Sequence, residues 1–252
     1  PCHPLIFDRV PAKARNPPMK SITSPLVTRP LTVAALLAFN GGFVDTAGFL
    51  GLNGLFVAHV TGNFVTLGAA LVTVGHGVIG KILALPAFMM VIALARLSGT
   101  VLRGADLPAR RILFSINVLL LLAFFVMAVR FGPFPNADSP LALLTGLAGI
   151  AAMAMQASVQ RVHLAKMPPS TMMTGSTVQA TLDVVDILTG AHPEQQPTIR
   201  KRFRRLITTI VAFTLGCASS ALLYAYIGFW CLGVSVVIGM IAAVTRVEEG
   251  GT

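Results

Sequence analysis

Asp45 lies inside an apolar run, just past Asn40-Gly41-Gly42, and is the side chain best placed for chemistry in this chain. At membrane depth a carboxylate costs about 2.5 to 3.5 kcal/mol on insertion scales, so it must face protein or water. Arg96, within another apolar run, and His59 are its candidate partners. A permanent Asp45–Arg96 pair is a structural element. A pair for which a solute or a proton competes is a coupling element, and the sequence leaves both readings open.

Two short elements share a pattern. Thr61-Gly62-Asn63 and Thr174-Gly175-Ser176 stand 113 residues apart, each heading a short, weakly apolar stretch. Thr or Asn can cap a helix amino terminus, and Gly permits close backbone approach. A half-helix starting there aims unpaired N–H groups inward and favours an anion or a carboxylate. The alternative is ordinary small-residue packing between membrane helices.

Asp183 and Asp186, spaced i, i+3 with Gln179 one turn earlier, share a helix face. Neighbouring carboxylates raise one another's pKa, so the two could share a proton. The alternative places both in solvent near the membrane surface. The expected site gathers Asn40, Asp45, Thr61, Asn63, Arg96, Gln156, Thr174 and Ser176. His59, Gly62, Gly175, Asp183 and Asp186 lie along the same expected pathway.

The elements that must position these residues follow from composition. Hydrophobic residues make up 55% and charged residues 11% of the 252, and the mean hydropathy is +0.80. Apolar runs of this length leave too little polar surface to cover a soluble core, so the chain reads as a polytopic membrane protein. The net charge of +10 resides in loops between apolar runs, without interleaved aromatics. That distribution fits the positive-inside rule and not nucleic-acid binding. Cys2, Cys217 and Cys231 are odd in number and have no ligand spacing, so no disulfide framework follows. Met153, Met155, Met167, Met172 and Met173 read as apolar filler and not as a copper path. No cofactor or metal is expected.

Six runs are long enough to span a bilayer: residues 31–52, 82–102, 112–129, 141–160, 206–227 and 229–244. Two segments, 58–74 and 171–188, are ambiguous. If all eight cross and the basic amino terminus is cytoplasmic, the loops holding Arg103, Arg110 and Arg111, and Arg161 and Lys166, fall outside. If the ambiguous pair is re-entrant, those loops join the run at 200–205 on the cytoplasmic side. The favoured fold is therefore all-α: six spanning helices plus two half-length helices, with eight spans as the alternative.

Each half then holds three spans and one half-helix, which makes the halves inverted repeats, about 31–131 and 140–245. The turn-rich linker at 131–140 joins them, residues 31–245 form a single membrane domain, and 246–252 are a short tail. Residues 1–30, rich in Pro and basic residues, read as disordered, with Met19 as an expected start.

Gly42-Phe43-Val44-Asp45-Thr46-Ala47-Gly48-Phe49, then Phe56-Val57-Ala58-His59-Val60-Thr61-Gly62-Asn63 and Leu67-Gly68, resemble the YoaK-type family of bacterial integral membrane proteins. The resemblance covers about residues 31–244. It implies an inner-membrane protein of about six spans and draws attention to Asp45, Thr61, Gly62 and Asn63. Ser176 departs from the Thr-Gly-Asn pattern. The functional expectation is a small-solute transporter or permease, proton coupling included, with the lipid bilayer and an unidentified solute as partners. A homo-oligomer is left open. A non-transporting assembly protein is the alternative, and an intramembrane enzyme ranks below both because no nucleophile and base stand at readable spacing.

Overall fold

The structure is a computed structural model that describes residues 27–28, 30–72, 77–165, 167–171, 173–191 and 193–247. Most of the amino-terminal segment expected to be disordered lies outside the described residues, as do residues 248–252 of the tail. The described parts of these ends do meet: β1 (Val27–Thr28) and β2 (Arg246–Val247) form a two-residue parallel pairing.

The chain is otherwise helical. The helices are α1 (Pro30–Gly51), α2 (Gly62–Val72), α3 (Val78–Gly104), α4 (Ala109–Phe131), α5 (Pro140–His163), α6 (Met173–Thr189), α7 (Gln196–Ile227) and α8 (Leu232–Val244). A helix occupies each expected span, the last reduced to the 13 residues of α8, and α7 extends ten residues further toward its amino terminus, through the basic run. Five stretches are long and apolar enough to cross a membrane, the last being the continuous α7–α8 stretch. Gly228, at φ +55°, breaks that stretch and lets α8 turn back onto α4 and α1. Local signals set the boundaries elsewhere. Ser139 accepts from the Ala142 N–H at 3.3 Å with Pro140 in the first helical position, which starts α5.

Hydrogen bonds between chain ends decide the topology. Asn53 Nδ2 donates to the Phe134 carbonyl at 2.9 Å, and the Gly77 N–H donates to Asp138 Oδ2 at 3.1 Å. The end of α1, the start of α3 and the α4–α5 linker therefore share one end of the bundle. The chain leaves that end after Asn53 and is back at it by Gly77, so the segment holding α2 is re-entrant. At eleven residues, α2 is about 16 Å long and could not cross a bilayer core.

The second ambiguous segment behaves alike at the opposite, basic end. Gln196 Nε2 donates to the Asp186 and Ala191 carbonyls, and Arg202 pairs with Asp183, so α6 runs down beside α7 to the latter's start. At 17 residues α6 exceeds a half-helix. Its last turns lie beside the basic turns of α7, and only its first part lies at membrane depth.

The equivalent helices of the two halves run in opposite directions. Leu52 packs at Gly146 while Asn40 meets Gln156, so α1 and α5 are antiparallel. Phe125 packs at Gly233 and Arg110 donates to the Thr245 carbonyl at 2.7 Å, so α4 and α8 are antiparallel too. Eight full spans would make both pairs parallel. Across the halves, α1 lies against α7, and α3 against α5. The α1–α7 contact is the closest. A Cβ on Gly216 would lie 2.1 Å from the Phe39 carbonyl oxygen, and one on Gly42 would lie 2.3 Å from that of Phe213. Only glycine lets two membrane helices approach this closely.

The six-span arrangement predicts that Asn53→Cys and Asp138→Cys, in a cysteine-free background, react with an impermeant maleimide from the same face. Arg111→Cys and Arg200→Cys should react from the other. Labelling of Asn53→Cys and Asp138→Cys from opposite faces would establish eight spans instead.

Candidate functional site

Both re-entrant loops end against α1, and a polar side chain of a first helix holds each one. Asp45 Oδ1 accepts from the N–H groups of Val57 at 2.9 Å, Ala58 at 2.7 Å and His59 at 3.2 Å. Asn63 closes the same loop, accepting from the Phe56 N–H at 2.9 Å and donating to the Phe56 carbonyl at 2.8 Å. In the second half Gln160, on α5, does comparable work. Its Nε2 donates to the Pro168 carbonyl at 3.0 Å, and its Oε1 accepts from the Ser170 N–H at 3.1 Å. Val57 and Ser170, the two held amides, are 113 residues apart, the same separation as the Thr-Gly elements.

The loops reach α1 from opposite ends. A Cβ on Gly41 would lie 3.1 Å from the Ser170 carbonyl oxygen, and Val57 packs against Gly48. Gly41 and Asp45 are one turn apart, about 6 Å along the axis, so the loops bracket the middle of α1.

A polar layer crosses the bundle at this depth. The apolar interior forms two clusters, one toward each end. Along α1 the clusters change hands between Leu37 and Phe43, with Asn40 between them. Along α4 they change between Phe114 and Leu121, at Asn117. Along α5 the change falls between Met153 and Met155, with Gln156 the next residue. All three amides are fully buried. Asn40 Nδ2 donates to Gln156 Oε1 at 2.8 Å, and Gln156 Nε2 donates to the Leu37 carbonyl at 3.0 Å. Asn40 Oδ1, both polar atoms of Asn117 and the Ser170 hydroxyl have no hydrogen-bond partner among the described residues, as is also true, away from this layer, of Gln196 Oε1 at the start of α7 and the Ser235 hydroxyl on α8. Buried polar groups are nearly always paired, so orphans gathered at one depth need a reason.

The structure thus brings Asn40 and Gln156 together, sets Asp45 of α1 against the first loop with His59 in it and Gly62 and Asn63 at its exit into α2, and buries Ser176 at the start of α6. Other expectations fail. Arg96 sits on an exposed face of α3, and Asp45 binds backbone N–H groups, so the expected Asp45–Arg96 pair is absent among the described residues. Its length and its position eight residues from the end of α3 let Arg96 reach the membrane surface.

Thr61, Thr174 and Gly175 are exposed, so the threonines do not line a central site. Asn63 holds the Phe56 backbone and does not cap α2. Asp183 turns to Arg202 and Gln179, and no hydrogen bond joins it to Asp186 among the described residues. Arg202 Nε donates to its two oxygens at 3.1 and 2.9 Å, a second contact comes from Arg202 Nη2, and Gln179 donates at 2.8 Å.

Sequence reasoning missed Asn117, Gln160 and Ser170. An amide inside the apolar run 112–129 was the available signal for Asn117. The other two emerge only from the folded loop.

The family described as Protein of unknown function (DUF1275) matches residues 33–245, and the chain belongs to it. No curated protein and no solved structure matches the chain.

If Asp45 holds the first loop, Asp45→Ala leaves two buried and one half-buried N–H group without their acceptor and should lower the unfolding free energy in mild detergent by about 3 kcal/mol. Asp45→Asn, which keeps an acceptor oxygen, should cost only about 1 kcal/mol. Chemical denaturation of both variants checks the order.

Proposed function

We propose that this chain is a small-solute permease of the bacterial inner membrane, with its pathway through the Asn40–Asn117–Gln156 layer between the halves. The observation that carries this reading is Asn117. Its donor and acceptor are both fully buried and unmatched among the described residues, at the depth where two re-entrant loops converge. Such a group in an apolar interior is costly unless it meets a hydrogen-bonding guest during the working cycle.

The guest's class follows from the layer's chemistry. Its three side chains are amides, which offer donors and acceptors without net charge. They suit a small uncharged polar solute better than the anion expected from the half-helices alone. The reading is therefore one of facilitated passage and is not enzymatic, since amides recognise and orient a guest but exchange no protons with it. Asp45 serves as the brace of the first loop. Asn40 and Gln156 are sealed here, so passage requires α1 and α5 to part.

Two inverted halves whose first and third helices pack across each other support a duplicated origin and the rocking such repeats allow. The YoaK-type likeness of residues 42–63 supports the same placement. The cations of the α3–α4 connection and of the start of α7 support a cytoplasmic amino terminus.

The Asn40–Gln156 bond favours a second reading, in which the layer only locks the helices together. Asn117→Leu separates the two. Exchanging an unpartnered buried amide for an apolar side chain of similar size should leave the melting temperature unchanged or raised. Proteoliposome uptake of a panel such as urea, glycerol and formamide should fall at least about ten-fold, the effect of about 1.4 kcal/mol on a barrier. Uptake equal to the parent protein's would remove the permease reading and leave the lock.

A further inference from the structure

The run Arg200-Lys201-Arg202-Phe203-Arg204-Arg205 divides its cations between two tasks. Arg202 turns toward α6, where Asp183 neutralises it. The other four line one wall of a groove of about 590 Å³, opposite Leu31 of α1 and Met167 of the α5–α6 loop. The charged lining is cationic throughout, with no carboxylate among the lining residues. Arg200, Lys201 and Arg204 are exposed, and Arg205 is half-buried.

The groove's depth in the membrane is fixed by its own walls. The apolar span of α7 begins at Leu206, one residue beyond the last cation, and α1 begins its span at Leu31. The cations therefore stand at the level of the headgroups, while Leu31 and Met167 offer an apolar wall at the level of the first acyl carbons. Spacing adds a second constraint. Arg200 and Lys201 form one tier, and Arg204 and Arg205 form a second tier one helical turn along. A ligand with two anionic groups joined by a short bridge satisfies both tiers at once. One with a single phosphate satisfies only one.

We propose that this groove is a binding site for a diphosphate phospholipid, with its two phosphates on the two cationic tiers and its acyl chains against Leu31 and Met167. Arginine suits this task because its planar fork engages phosphate oxygens bidentately. Arg202, held by Asp183, faces α6 and takes no part in the groove's lining.

The test uses the purified full chain in mild detergent, with bound lipid read by native mass spectrometry and lipid-dependent melting as a second measure. The probes are tetraoleoyl cardiolipin, dioleoyl phosphatidylglycerol at equal phosphate, dioleoyl phosphatidylcholine and inorganic phosphate. Cardiolipin should bind most tightly and raise the melting temperature, while inorganic phosphate does neither. The paired substitution Arg200→Ala with Arg204→Ala should weaken cardiolipin roughly thirty-fold, from about five-fold per cation. Arg111→Ala, at an exposed cation of the same end on α4, should leave binding unchanged.

Equal affinity for phosphatidylglycerol, equal protection by inorganic phosphate, or a doubly substituted protein that binds as the parent does would each overturn the assignment. If the double variant does not fold, Arg204→Gln alone decides the question. A loss of about five-fold supports the site, and an unchanged affinity defeats it.

Discussion

No water is available in hydrocarbon to satisfy a peptide group, so a non-helical segment can enter a membrane only if protein supplies its hydrogen bonds. Everything at the centre of this bundle depends on that constraint. The first loop enters because Asp45 takes three of its N–H groups, and the second because Gln160 takes one N–H and gives one to a carbonyl. The two halves use different side chains for the same purpose. A carboxylate gathers three converging donors, whereas an amide, carrying both a donor and an acceptor, straddles a peptide strand. Both solutions leave the charged or polar head satisfied by the loop itself.

The loops in turn shape the interior. By filling the space beside the middle of α1, they separate the apolar packing into two clusters with an amide layer between. Close helix approach sets the outer frame. The contact of Gly42 and Gly216 with facing carbonyls brings the α1 and α7 backbones almost together, so their alignment is fixed by backbone shape more than by side-chain choice. Ser220 reinforces it, donating to the Phe43 carbonyl at 2.7 Å.

Much of this frame was legible in the sequence. Apolar run length located the six spans, and the distribution of Arg and Lys among loops favoured re-entrant segments over full crossings, as Asn53 and Asp138 bear out. The importance of Asp45, Asn40 and Gln156 was legible as well, because polar residues in apolar runs are conspicuous. Their partners were not. A carboxylate's cheapest companion at membrane depth looked like a cation, and Arg96 was the nearest in apolar surroundings. Backbone amides of a loop carry no signature in composition, yet they win because they arrive pre-oriented and bring no desolvation cost of a second charge. The threonines of the repeated elements misled for a related reason, since Asn63 directs both its polar atoms to the Phe56 backbone and holds the loop, leaving the neighbouring hydroxyl outside.

The partnership of α1 with α7, and of α3 with α5, bears on mechanics. Two helices with no clearance between backbones translate together, so α1 and α7 form one rigid strut although they lie at opposite ends of the chain. The moving pieces are therefore mosaics of both halves, and a shift of α1 away from α5 would carry the third helix of the far half with it. Splitting the polypeptide at its central linker would yield fragments that each own half of two struts, so neither could hold its shape before finding the other.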